Sequence, residues 1–261
     1  MIQFNKKHME FSSIEDATND GFLNIARQVN PTPCNEQYFN GQSLAMLFTG
    51  ASKYNIKFHH WETNQSVVWN LLKTFTPLTN SQAIANILNS LSKMRRGLFH
   101  VMDKELQTIL LDAIDRNVDY LEKPFNSQDI ANTLLALDQM GLKWNTNDLT
   151  CDLKRKLLLS VEDNANGFNS QDIANTLLAL DQMGLKWNTN DLTSNLQRKL
   201  LVLVDDNTSS FNGIVFRFEL VSVDDSVSSF NSIVFRFEIV FRSISFSLSL
   251  SDLILYIKKI E

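Results

Sequence analysis

The sequence predicts an all-α protein, an α-solenoid of about four helical hairpins with an N-terminal helical cap and a β-prone or disordered C-terminal tail. Two observations carry this. FNSQDIANTLLALDQMGLKWNTNDLT occurs twice without a change, at residues 125–150 and again at 168–193, an offset of 43 residues. Within each occurrence the apolar residues follow a helical period rather than a strand period. A hairpin with apolar residues on both flanks cannot bury them alone, so neighbouring copies must cover one another.

The repeat extends past the identical block. CDLKRKLLLSVEDNANGFN from Cys151 aligns with SNLQRKLLVLVDDNTSSFN from Ser194, and older copies open at Phe39 (FNGQSLAMLF) and Asn80 (NSQAIANILNSLSKM). Copies therefore start near residues 39, 79, 125 and 168, and a fifth begins at Phe211 and breaks off after Asn212. This divides the chain into a cap (1–38), hairpin repeats (39–212) and a divergent tail (213–261).

The third copy shows how each is read. Asn126 or Ser127 caps the first helix, and Asp129 lies in the first turn, where negative charge suits the helix dipole. Ile130, Leu134, Leu137 and Met140 form the apolar stripe, and Gly141 stands where a left-handed C-cap is expected. Leu142 and Trp144 pack in the connector. Thr146, Asn147 or Asp148 caps the second helix, whose buried residues are Leu149, Leu153, Leu157 and Val161. NANG, residues 164–167, is a turn. Upstream, a helix is expected over Gly21–Val29, stopped by Asn30-Pro31-Thr32-Pro33.

The tail follows a different pattern. VDDNTSSFNGIVFRFELV from Val204 nearly recurs as VDDSVSSFNSIVFRFEIV from Val223. Its Val, Ile and Phe content favours strands. A β-hairpin covering the end of the stack and a degraded, frame-changed repeat both fit. IVFRFEIVF, residues 233–241, is an aggregation hazard if unpaired.

SQDIANTLLALDQMG resembles the first helix of octotricopeptide-type repeats, and also a related uncharacterised helical repeat of intracellular bacteria. The resemblance covers residues 39–212 and is closest at Ser127–Leu134 and Ser170–Leu177. It implies a helical-hairpin fold and association with RNA.

Function is read from the surface. At about 100° per residue, Gln128, Asn132 and Gln139 fall opposite the apolar stripe. They recur as Gln171, Asn175 and Gln182, and partly as Gln82 and Asn86. These amides form a candidate partner-binding groove; alternatively Asn132 and Asn175 bond to neighbouring backbone and serve only the stack. Lys143, Arg155, Lys186 and Arg198 are candidate phosphate contacts, with a solvated second-helix face as the alternative. The net charge is −5, and each of the last two copies has two more acidic than basic residues. A protein partner is therefore the first expectation and RNA the second.

No catalytic residues are expected, since the chain lacks GxxxxGK[ST], HExxH, CxxC and GxSxG. His59, His60 and Glu62 place three potential ligands together, but no fourth, so no metal or other cofactor is expected. Cys151 is replaced by Ser194 in its twin copy, which argues against an essential thiol. No small-molecule substrate is indicated. No apolar run is long enough to span a membrane, and MIQFNKKHMEF lacks a signal-peptide core. The expected location is the bacterial cytoplasm; export into a host cell is compatible with the sequence but not indicated by it.

Overall fold

The computed structural model describes residues 14–28, 39–60, 62–118, 124–185, 194–206, 214–222 and 233–241. Among these are nine α-helices: α1 Ile14–Gln28, α2 Gly41–Lys53, α3 Gln65–Phe75, α4 Ser81–Met94, α5 Lys104–Val118, α6 Ser127–Gln139, α7 Cys151–Asn164, α8 Ser170–Gln182 and α9 Ser194–Asp206. Two strands, β1 (Ile214–Ser222) and β2 (Ile233–Phe241), pair antiparallel with Ile214 opposite Phe241. The other tail residues, and the Asn30–Pro33 stop, lie outside the described residues.

The chain divides into two compact units, residues 1–125 with 136–142, and residues 126–135 with 143–261. In the first, the first helices α2 and α4 pack side by side, and α3 lies between α1 and α5. Leu44, Phe48, Phe75, Ile84, Leu88 and Leu91 fill its core without solvent contact or nearly so. In the second, α9 packs on α7 and α8, with Leu157, Val161, Ile173 and Leu200 wholly buried.

Helix starts obey one rule. Asn40, Asn80, Asn126 and Asn169 precede the four first helices. Each side chain accepts an N–H from three residues on: Ser43 (3.0 Å), Ala83 (2.9 Å), Asp129 (2.9 Å) and Asp172 (3.0 Å). Asp172 answers with a bond from the Asn169 N–H (3.2 Å), a reciprocal capping box. Asn126 is thus the cap, not Ser127, whose Oγ donates to Asn164 O (3.3 Å).

Three of the four first helices also end alike, α4 ending instead on the extended Arg95. Gly141 (φ 95°) and Gly184 (φ 87°) are left-handed, as is Asn55 (φ 57°) after α2. Leu142 N–H reaches Leu137 O (3.0 Å) and Gly141 N–H reaches Asp138 O (2.8 Å), a Schellman ending repeated by Leu185 and Gly184 and by Ile56 and Asn55. Leu142 and Trp144 are buried, as expected.

Two expectations shift. α1 starts at Ile14, seven residues before the expected Gly21. No glycine or proline interrupts residues 14–20, and one interior glycine costs only about 1 kcal/mol. α7 starts at Cys151, capped by Thr150, whose Oγ accepts the Leu153 N–H (3.1 Å). Thr146 and Asp148 do not cap it, because they bond to each other (2.6 Å) and Thr146 Oγ to Lys143 O (2.9 Å), closing a separate turn.

Copies join through a recurrent seam. The carbonyls at the end of a helix have no partner within it. In this chain the preceding copy's connector supplies donors. Lys93 O receives Lys57 Nζ (3.0 Å), Gln139 O receives the Gly97 N–H (2.9 Å), and Gln182 O receives Lys143 Nζ (2.7 Å). One residue on, Met140 O takes the Phe99 N–H (3.2 Å) and Met183 O the Trp144 N–H (2.7 Å). Within the first copy, the start of the first helix lies against the copy's end: a Cβ on Gly41 would meet Leu78 O at 2.7 Å, a backbone approach that glycine permits.

Two hydroxyls stand out inside this packing. Thr133 and Thr176 are wholly buried with no hydrogen-bond partner among the described residues, where the second copy has buried Ile87. A buried donor left unpaired is destabilising. Replacing both by valine should raise the urea midpoint, by an amount equivalent to about 1 kcal/mol per site. A lowered midpoint would mean that the hydroxyls do find partners.

Candidate binding face

The face opposite the buried stripe is traced helix by helix. On α6, Gln128 is exposed and Asn132 half-buried; on α8, Gln171 is exposed and Asn175 half-buried; on α4, Gln82 is exposed and Asn86 half-buried. None of these six side-chain amides bonds to a described residue. Among the described residues, Asn132 and Asn175 make no hydrogen bond to neighbouring backbone.

The row's last position behaves differently. Gln139 is half-buried, and its Oε1 accepts from Ser92 Oγ (2.9 Å), so it joins the packing of its own compact unit. Its twin Gln182 is exposed. The sequence reading missed Leu135 and Leu178. Three residues beyond the asparagines, they fall on the same row and are half-buried; helical spacing alone would have placed them there. It also missed Met46, exposed on α2 where the other copies carry asparagine.

The candidate phosphate contacts are engaged elsewhere. Lys143 Nζ donates to Gln182 O in the seam. Arg155 pairs with Asp152 (2.9 Å), and Arg198 donates to Asn195 (3.3 Å). Lys186 lies outside the described residues. Arg155 and Lys156, bonded to Asp152, hold its carboxyl below the usual carboxylate value.

Other polar groups also act structurally. His60 Nδ1 accepts the Lys57 N–H (3.0 Å), and the His59 and His60 rings lie 4.0 Å apart. Among the described residues, no three His, Cys, Asp or Glu side chains are grouped to hold a metal. No helix of the described residues is long and apolar enough to cross a membrane. Burial pushes the Asp129 carboxyl up, and the Asn126 N–H draws it partly back. Cys151 is exposed.

One charged cluster joins helices directly. Asp103 accepts the Leu106 N–H (2.9 Å) at the start of α5, and Lys73 on α3 reaches Asp103 (3.0 Å) and Glu105 (2.5 Å). Burial alone would raise Asp103, but the Leu106 N–H and Lys73 outweigh it and hold the carboxyl below 3.8. Glu105 and then Asp103 raise Lys73 above 10.5.

Comparison with known families finds a match to one described as a protein of unknown function (DUF1601), over residues 80–88, 103–134 and 140–177. The three matched segments end on Leu88, Leu134 and Leu177, the same position of successive first helices. The similarity thus follows the internal repeat. No curated protein matches the chain.

The Asp103 cluster gives a signed pH dependence. A carboxyl lowered by folding stabilises the fold above its unfolded value, and that stability is lost as pH falls below 3.8 through the lowered folded value. Asp103→Ala should cost about 1 kcal/mol at neutral pH through the lost cap. It should also flatten the acid limb of stability measured by urea titration across pH. An acid limb as steep as in the parent would show that Asp103 is not its source.

Proposed function

We propose that the chain is a non-catalytic binding scaffold, an α-solenoid whose first-helix face holds a protein partner. What supports the reading most is the set of amides on α6 and α8. Gln128, Asn132, Gln171 and Asn175 have no partner among the described residues, although Asn132 and Asn175 are half-buried. Exposed amides can exchange water for the donors and acceptors of a ligand.

RNA is the alternative that the octotricopeptide resemblance implies. It would draw affinity from cations meeting phosphates. Against it, α6 and α8 contain no lysine or arginine, and Lys143 and Arg155 hold groups of the chain itself. Catalysis has no residues to recommend it, and the bacterial cytoplasm remains the proposed location.

A photo-crosslinking residue at position 132 or 175, used in the native cell, tests this. The expected result is an adduct with one polypeptide that survives nuclease treatment and falls several-fold when Gln128 and Gln171 are changed to alanine. Adducts with nucleic acid alone would overturn the proposal in favour of RNA.

A further inference from the structure

We infer that the end of α2 is a docking slot for a second copy of this chain, filled by the connector of that copy's fourth hairpin, residues 185–193. The slot is separate from the partner-binding face and uses none of its amides.

The seam between copies has an accepting half, and in the second, third and fourth copies its carbonyls are filled. The residue that closes this half is Met94, Met140 or Met183, exposed to 4%, 0% and 0%. Tyr54 holds the same position after α2 and is 65% exposed. One turn earlier stand Ser90, Ala136 and Ala179, all buried. The first copy has Gly50 there, and a Cβ on it would meet nothing within 4 Å. Among the described residues no donor reaches Lys53 O or Tyr54 O, the counterparts of the carbonyls that receive Lys143 and Trp144. α1 packs beside α2 through Phe22 and Phe48, whose rings lie 5.8 Å apart, without covering Tyr54.

The fourth copy has the matching donor half and no acceptor behind it. Its connector LKWNTNDLT repeats residues 142–150 without a change. Residues 186–193 lie outside the described residues, but their twins are seen in place. Lys143 Nζ reaches Gln182 O and the Trp144 N–H reaches Met183 O, both at 2.7 Å. Beyond the fourth copy the repeat stops at Asn212, and β1 begins at Ile214 where a first helix would stand. Lys186 and Trp187 therefore have no following first helix in their own chain.

The two halves fit chemically. A lysine ammonium suits the negative end of a helix. Lys57 on Lys93 O (3.0 Å) shows that a lysine at the accepting position does not prevent the bond. Asn55 stands where Gly141 and Gly184 stand, in the same left-handed turn. A Cβ on Gly184 would lie 3.9 Å from the Asn145 side chain, ordinary van der Waals contact. The same connector thus leaves room for the Asn55 Cβ. Such a contact joins two different surfaces, the donor end of one chain and the accepting end of another.

The test uses the full chain with reductant present, because Cys151 is exposed. Sedimentation velocity over concentrations up to about 100 μM should show reversible association. Tyr54→Glu spoils the accepting half and Lys186→Glu the donor half. Each should weaken association at least about tenfold, with helical circular dichroism unchanged. Mixed in equal amounts, the two variants should form a dimer and nothing larger, because each keeps the half that the other has lost. A monomeric parent, association that ignores both changes, or variants that fail to complement each other overturn the inference. A benzophenone side chain at position 54 of the otherwise unchanged chain, mixed with isotope-labelled chain, gives a second readout. Adducts to residues 185–193 of the labelled chain are expected. Adducts confined to one chain, its own N-terminal segment included, overturn the inference.

Discussion

A helix ends with carbonyls that its own backbone cannot satisfy, and in this chain the remedy comes from the neighbouring copy. The connector after one first helix donates to the last carbonyls of the next, through Gly97 and Phe99 onto Gln139 and Met140, and through Lys143 and Trp144 onto Gln182 and Met183. Apolar burial would tolerate many orientations of two hairpins. Directional bonds at 2.7–3.2 Å tolerate few. The seam therefore explains why the duplicated copy docks in register on its parent: the third copy supplies the donors Lys143 and Trp144, and the fourth the acceptors Gln182 and Met183.

Variation between copies shows which parts of the unit the seam constrains. The donor to the penultimate carbonyl is a lysine side chain at Lys57 and Lys143 but the backbone of Gly97 in the second copy, where Arg95 and Arg96 lengthen the link. The chemistry of the bond is kept while its source changes. By contrast Thr133 and Thr176 stand where Ile87 is buried in the second copy, and no bond compensates them. Trp144 carries a buried indole N–H without a partner, where the second copy has Phe99 and needs none. The two near-identical copies thus hold buried polar groups that the older copy lacks.

The open side of the unit follows other rules. Among the described residues, the amides there bond to no neighbouring side chain or backbone group. Their chemistry is amide and aliphatic rather than cationic. Among the described residues singled out for phosphate, Lys143 is tied to a carbonyl of the next copy, whereas Arg155 and Arg198 bond to Asp152 and Asn195 on their own helices. These ties, set beside amides that make none, are the basis of the proposed function.

Much of the architecture could be read before any coordinates. The identical block, its helical period, the asparagine preceding each first helix and the glycine after Met140 follow from local backbone rules, and local rules are written in adjacent residues. The cap of α7 was misplaced because Thr146, Asp148 and Thr150 are equally good caps by type. Only the turn closed by Thr146 and Asp148 decides among them. The amides of the candidate face were found by angle, yet the fates of Gln139 and Lys143 were not. Their partners, Ser92 and Gln182, lie 47 and 39 residues away. The sequence by itself determined that the unit is a hairpin and where it repeats, because periodicity and capping are short-range. The tertiary structure alone decided which polar side chains are engaged between copies and which face outward, because that depends on neighbours brought close only by packing.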